Sequence, residues 1–213
     1  QKKHLKTYTM EQFKIRASGC GQIMTNAKKA GELLSKTTKT YVDAWLKEKI
    51  YGYRKQFSSK QTDKGLAYED EAIDKAIEWL NLPFVLKNEQ KFENDFLTGE
   101  PDLILDDCII DLKNSWDCFT FPLFETELPN EDYYWQMQCY MELTGKRKAK
   151  VVYVLLTTPE TYQNMEMVYD HVPTEQRIKV FEIDYDPEAI EKIKKRVEEI
   201  RTYIETKLQT IKN

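Results

Sequence analysis

The 213-residue sequence predicts a mixed α/β fold: a central β-sheet flanked by helices, with a helical N-terminal part and a long C-terminal helix. Three patterns point there. Strand-like apolar runs recur at 103–110, 148–156 and 178–183, and helical spacing fills the segments before and between them. From Pro187 onward a single stripe (Ile190, Ile193, Val197, Ile200, Ile204 and Ile211) keeps helical spacing to the end. The length suits one domain over 1–213, with a core at about 65–185, a helical part at 12–60 and the closing helix at 187–211.

In chain order, Arg16-Ala17-Ser18-Gly19 comes first, with Ser18 placed to cap a helix whose glycines bare backbone N–H groups. Such a terminus suits an anion, and Arg16 could add a bidentate phosphate contact; taken in isolation, an ordinary capped helix beside a surface arginine is the simpler reading. Residues 39–53 form a helix with Val42, Trp45, Leu46 and Ile50 on one face. Lys47, Lys49, Arg54, Lys55, Lys60 and Lys64 then interleave with Tyr51, Tyr53 and Phe57, a pattern of a nucleic-acid groove or of a solvated helix end and loop.

Helix 65–80 carries the stripe Ala72, Ile73, Ala76, Ile77 and Leu80. Glu69 falls along that stripe, where a buried carboxylate needs a partner, or it sits exposed in a first turn that favours acids. Residues 81–98 read as strand and turn, with Phe84-Val85-Leu86 at the strand's core. The aromatic stretch 114–128 either lines a channel or packs as a loop. From Pro129-Asn130 a helix runs to Thr144, with Tyr133, Gln136 and Tyr140 on one face. Gln136 and Tyr140 could orient a phosphate or a water, or form a structural pair. Strands at 148–156 and 178–183 bracket an exposed connection at 157–176, and the last helix caps the sheet or packs on another subunit.

The centre of the chemistry is 99–113. Asp106-Asp107 between Leu103–Leu105 and Cys108–Ile110 reads as a two-residue hairpin turn. Leu105 then faces Cys108, Ile104 faces Ile109 and Leu103 faces Ile110, which sets Asp102 opposite Asp111 with Lys113 on the same side. Two carboxylates in one site repel, and a divalent cation with hard oxygen ligands would offset this. An acidic hairpin with a surface Lys–Asp pair is the alternative.

A net charge of −4 argues against a general nucleic-acid coat but leaves room for an acidic site in a locally basic groove. No apolar run approaches the roughly 20 residues of a membrane span. No signal-peptide core follows Gln1-Lys2-Lys3-His4, so a cytoplasmic location and free thiols at Cys20, Cys108, Cys118 and Cys139 are expected.

Pro101-Asp102, a hairpin, then Asp111-Leu112-Lys113 resembles the signature of the PD-(D/E)XK nucleases, whose core is restriction-endonuclease-like. With Arg16-Ala17-Ser18, Gly65-x-x-x-Glu69 and Gln136-x-x-x-Tyr140 in order, the chain looks most similar to the lambda-type alkaline exonucleases, the YqaJ-like viral recombination branch. The resemblance implies Mg²⁺ or Mn²⁺, one or two ions, on Glu69, Asp102, Asp111 and the Leu112 carbonyl. Lys113 would activate water, Gln136 would position it, and Arg16, Ser18 and Tyr140 would bind substrate. It implies 5′→3′ hydrolysis from duplex DNA ends bearing a 5′-phosphate, in the cytoplasm of a bacterial or phage-infected cell. A single-strand annealing protein as partner and a ring trimer are also implied. An endonuclease, a single-strand-specific nuclease or an inactive DNA-binding protein on the same fold are the alternatives. No iron–sulfur cluster is expected, since no cysteine follows Cys139, and no histidine precedes the motif at a ligand's distance.

Overall fold

The structure, a computed structural model, describes residues 11–55, 67–161 and 165–211. His4, Phe57, Lys60, Lys64 and Gly65 lie outside the described residues. Among the described residues, strands β1 (Ile15–Arg16), β2 (Phe92–Glu93) and β3 (Leu97–Gly99) form a small sheet in the order β1-β3-β2. The main sheet is mixed, in the order β4-β5-β6-β7, from β4 (Leu103–Ile104), β5 (Ile109–Asn114), β6 (Lys148–Val154) and β7 (Ile178–Asp184). β4–β5 and β6–β7 are antiparallel, and β5–β6 is parallel. A helix spans the crossover between β5 and β6, as a parallel pair requires.

The helices are α1 (Cys20–Ile23), α2 (Lys36–Tyr51), α3 (Glu69–Trp79), α4 (Glu131–Thr144) and α5 (Pro187–Thr210). Side-chain caps open three of them: Ser35 accepts from Thr38 N, Asn130 from Asp132 N and Asp186 from Glu188 N. Strand alternation splits the main sheet's apolar residues into two layers. Ile109, Val151 and Tyr153 meet α4, through Met137 and Met141, in one buried cluster. Ile110, Val152 and Val154 meet Ala72, Ile73 and Ala76 of α3 in another. Ile190, Ile193, Val197 and Ile200 of α5 are buried against α2 and α4, so this helix backs the N-terminal layer.

Several expectations are corrected. Phe84 and Leu86 are 92% and 71% exposed and lie in coil, with Val85 alone turned toward the α3 side, so 84–86 is no strand. Ser18 caps nothing: it lies in a 3-10 turn, Ala17–Gly19, and α1 is a four-residue helix entered through Gly19. Ile50 and Ile211 are exposed, because α2 and α5 have already run past their packing partners at those ends. The 157–176 connection is not simply exposed: Thr158 is fully buried, and its hydroxyl donates to the Trp116 carbonyl and pairs with the Tyr169 hydroxyl at 3.0 Å. This ties it to the 114–128 loop, where Phe121 is buried and Phe119 and Phe124 are exposed. The cysteines are free, and no described helix is long and apolar enough to cross a membrane.

Candidate active site

The hairpin forms in the expected register, Leu103 with Ile110 and Ile104 with Ile109, closed by Leu105 N donating to the Cys108 carbonyl at 2.9 Å. Neither Asp106 nor Asp107 has a positive φ, so the turn is made without the left-handed residues of the usual two-residue hairpin. At the open end, Asp102 Oδ2 accepts from Leu112 N at 2.6 Å, which fixes one carboxylate against β5. Asp111 and Lys113, two apart on β5, share the face covered by α4.

There α4 completes a network. Lys113 Nζ lies 2.5 Å from Asp111 Oδ2 and donates to Gln136 Oε1 at 3.2 Å. Gln136 Nε2 donates to Asp111 Oδ1 at 3.4 Å and to the Tyr140 hydroxyl at 3.0 Å. Tyr133, one turn earlier, places its ring 4.3 Å from the Lys113 ammonium. Asp111 and Gln136 are buried. Buried Asp111 Oδ2 has the Lys113 ammonium as its counter-ion and no other partner among the described residues.

Burial, followed by the neighbouring Asp111 charge, pushes the Asp102 carboxyl up to about 7, against the opposing Leu112 N–H and Lys113 ammonium; Glu69 adds to the rise. Burial alone would lower Lys113, but the Asp111 carboxylate outweighs it and holds the ammonium above its ordinary range. Burial, then the Asp111 charge, raises Tyr140, so its hydroxyl stays protonated.

Glu69 is not gathered into this cluster. α3 packs on the opposite face of the sheet from α4, and the charge of Glu69 in its first turn acts on Asp102. Its Oε1 lies 3.2 Å from Lys87 Nζ, which also pairs with Asp70. Asn88 anchors that segment to the Asp102 and Pro101 carbonyls. Among the described residues no three Asp, Glu, His or Cys side chains are set to hold an ion. The donor chemistry nonetheless fits a hard divalent cation: two neighbouring carboxylates, one of them pushed up to about 7 by burial and by the charge of the other, which a cation between them would relieve.

Arg16 and Ser18 sit elsewhere, in an adjoining cavity of about 290 Å³ lined also by Arg54, Lys91, Thr98 and Tyr140. Thr98 Oγ1 is buried with no hydrogen-bond partner. The pocket touches the carboxylate network through Tyr140, which is common to both. Gly99 makes this approach possible, since a Cβ there would stand 2.7 Å from the Tyr140 ring. Lys91 and Thr98 were not singled out from the sequence, whereas Arg54 belongs to the stretch read as a nucleic-acid groove or a solvated helix end. Helical spacing placed Tyr133 on the face of Gln136 and Tyr140 without giving it a role, and Lys91 and Thr98 carry no local signal.

A phage-related exonuclease from Haemophilus somnus 129PT matches with a TM-score of 0.82 and 29% identity, covering 94% of this chain and 97% of its own. The chain is homologous to that exonuclease. An alkaline exonuclease from Laribacter hongkongensis shares the fold at a TM-score of 0.70 and 18% identity, over 93% of this chain and 91% of its own. Its complex with dAMP gives the same TM-score at 19% identity. No protein-family model matches the chain, and no curated protein does.

Proposed function

We propose that this protein is a divalent-metal-dependent DNA exonuclease that hydrolyses phosphodiester bonds from duplex ends, in the 5′→3′ direction. The observation that carries the reading is the Asp102–Asp111–Lys113–Gln136 network, set on the hairpin of a fold homologous to a phage-related exonuclease. Asp102, Asp111 and the Leu112 carbonyl would hold the cation, with Glu69 joining once it leaves Lys87. Bound there, Mg²⁺ or Mn²⁺ supplies charge stabilisation for the attacking and leaving oxygens.

The chain's own groups do the rest. Lys113 holds a positive charge in a buried site, where it offsets the charge that develops on the phosphate and orients the attacking water. Gln136 fixes Lys113 through Oε1 and, through Nε2, aims Asp111 and Tyr140. The Arg16–Ser18 pocket, one side chain away, suits a terminal phosphate: Arg16, Arg54 and Lys91 supply charge against Glu100 alone, and Thr98 supplies an unused hydroxyl. That selects an end over an internal bond, and with it a role in phage-type recombination. A cytoplasmic site of action, a ring trimer and a single-strand annealing partner belong to the same reading by resemblance.

The test is incubation of 5′-phosphorylated linear duplex and covalently closed circular DNA with Mg²⁺. The linear DNA is degraded from its 5′ ends and the circle survives. Equal loss of the circle would make the enzyme an endonuclease, and undiminished cleavage by Lys113→Ala would place the chemistry elsewhere.

A further inference from the structure

Helix α2 has two stripes. Thr38, Val42 and Leu46 face the core, while Thr37, Thr40, Ala44, Lys47 and Tyr51, three or four residues apart, face outward. Two cavities lie along this outer stripe. One of about 840 Å³ sits at the start of the helix beside Lys28, Lys36, Thr37 and Thr40; one of about 650 Å³ sits at its end beside Lys47, Tyr51, Tyr53 and Arg54. They share Thr40, Ala44 and Lys55, so they form one groove. The second cavity shares Arg54 with the Arg16–Ser18 pocket, so the groove runs on to the pocket beside the carboxylates. A 16-residue helix gives it a length of about 24 Å.

Its charge is one-sided. Each acid along it is already engaged: Glu32 pairs with Lys39 and Lys29, Asp43 accepts from Tyr203 and Lys207, and Glu48 accepts from Lys55 N. Among the described residues Lys28, Lys36, Lys47 and Arg54 have no acidic partner. Gly52, at φ 75°, ends the helix in the left-handed conformation and turns the chain, and Tyr51 and Tyr53 on either side of it are 71% and 81% exposed. Small side chains leave room along the helix, unpaired cations lie at intervals, and two bare aromatic rings stand at the end nearest the site.

We infer that this groove is a binding track for single-stranded DNA, carrying the unpaired strand at a DNA end. Its phosphates lie over Lys28, Lys36, Lys47 and Arg54, and its bases stack on Tyr51 and Tyr53. The inference rests on the nuclease reading above and adds to it a site for the tail beyond the duplex.

The test compares blunt 5′-phosphorylated duplex with the same duplex carrying a tail of about 8 thymidines, on one strand or the other, by fluorescence anisotropy in Ca²⁺. The full chain is compared with Tyr51→Ala/Tyr53→Ala and with Lys36→Glu/Lys47→Glu, all matched for circular dichroism and melting temperature. In the wild type one tail tightens binding by about tenfold, the scale of one stacked base. Both double variants lose that gain, and an abasic tail loses most of it. Equal binding of blunt and tailed DNA by the wild type, or a tail gain that persists in the tyrosine variant, overturns the track. Binding and hydrolysis of blunt duplex by the wild type are read separately; their absence overturns the nuclease reading instead.

Discussion

Asp102 is the residue at which folding and chemistry oppose each other. Its carboxyl is pushed up to about 7 by burial and by Asp111, against roughly 3.9 in an unfolded chain. The native state therefore binds the proton more tightly, and the stability this group contributes is present at low pH and lost as pH rises from about 4 to 7. In EDTA, Asp102→Asn becomes progressively more stable than the wild type between pH 5 and pH 8, by on the order of 2–4 kcal/mol at the upper end. Mn²⁺ at pH 8 closes the gap by stabilising only the wild type, since the cation takes over the proton's role. Melting curves across pH with and without metal decide this; a gap that stays constant with pH would place the raised pKa elsewhere. Lys113→Ala has the opposite character. It removes the counter-charge of Asp111 and drops kcat by about 10²–10⁴, and lysine-to-methionine at the same position, which keeps the volume, gives the same loss.

At the scale of elements, the join between β3 and α4 decides whether the end pocket and the carboxylates stay in contact. Adding a Cβ at Gly99 forces it to 2.7 Å from Tyr140 Cε1 and 3.1 Å from Ala17 Cβ, so Gly99→Ala destabilises by about 1–3 kcal/mol and displaces Tyr140. Measured in a Tyr140→Ala background, the Gly99→Ala cost shrinks, because the ring it strikes is gone; strict additivity in the melting temperatures would show that the strain lies with Ala17. The hairpin was legible beforehand because a period of two and a two-residue turn leave a single register for 103–111. Phe84-Val85-Leu86 misled because apolar content marks a strand only where another strand can pair. Here Asn81 takes a positive φ, Pro83 follows, and Asn88 ties the chain to Pro101 as coil. Helix periodicity gave Glu69 an inward direction without saying which face of the sheet α3 would cover. The cavity shared by Arg16, Arg54, Lys91 and Thr98 joins separate parts of the chain, and no local pattern announces that convergence.

For the molecule as a whole, α5 is the brace that keeps the N-terminal layer over the sheet. Arg201, near its middle, donates to the Phe13 carbonyl through Nε at 3.1 Å and Nη2 at 3.0 Å, and Nη2 also reaches the Asp95 carbonyl. One guanidinium thus ties the strand that leads to Arg16 and the β2–β3 turn, beside Thr98, to the C-terminal helix. These bonds carry charge and satisfy backbone oxygens of the chain's own loops, so Arg201→Met costs about 2–3 kcal/mol while keeping much of the apolar stem. None of them touches the β5–α4 network. The variant therefore keeps its turnover at saturating DNA within a few-fold, and its KM for 5′-phosphorylated ends rises by about tenfold because Arg16 and Thr98 are no longer held in place. Steady-state kinetics on ends with and without the 5′-phosphate reads this directly. The phosphate's advantage shrinks in Arg201→Met, and a fall in kcat with the advantage intact would show that the brace acts on the carboxylate site instead.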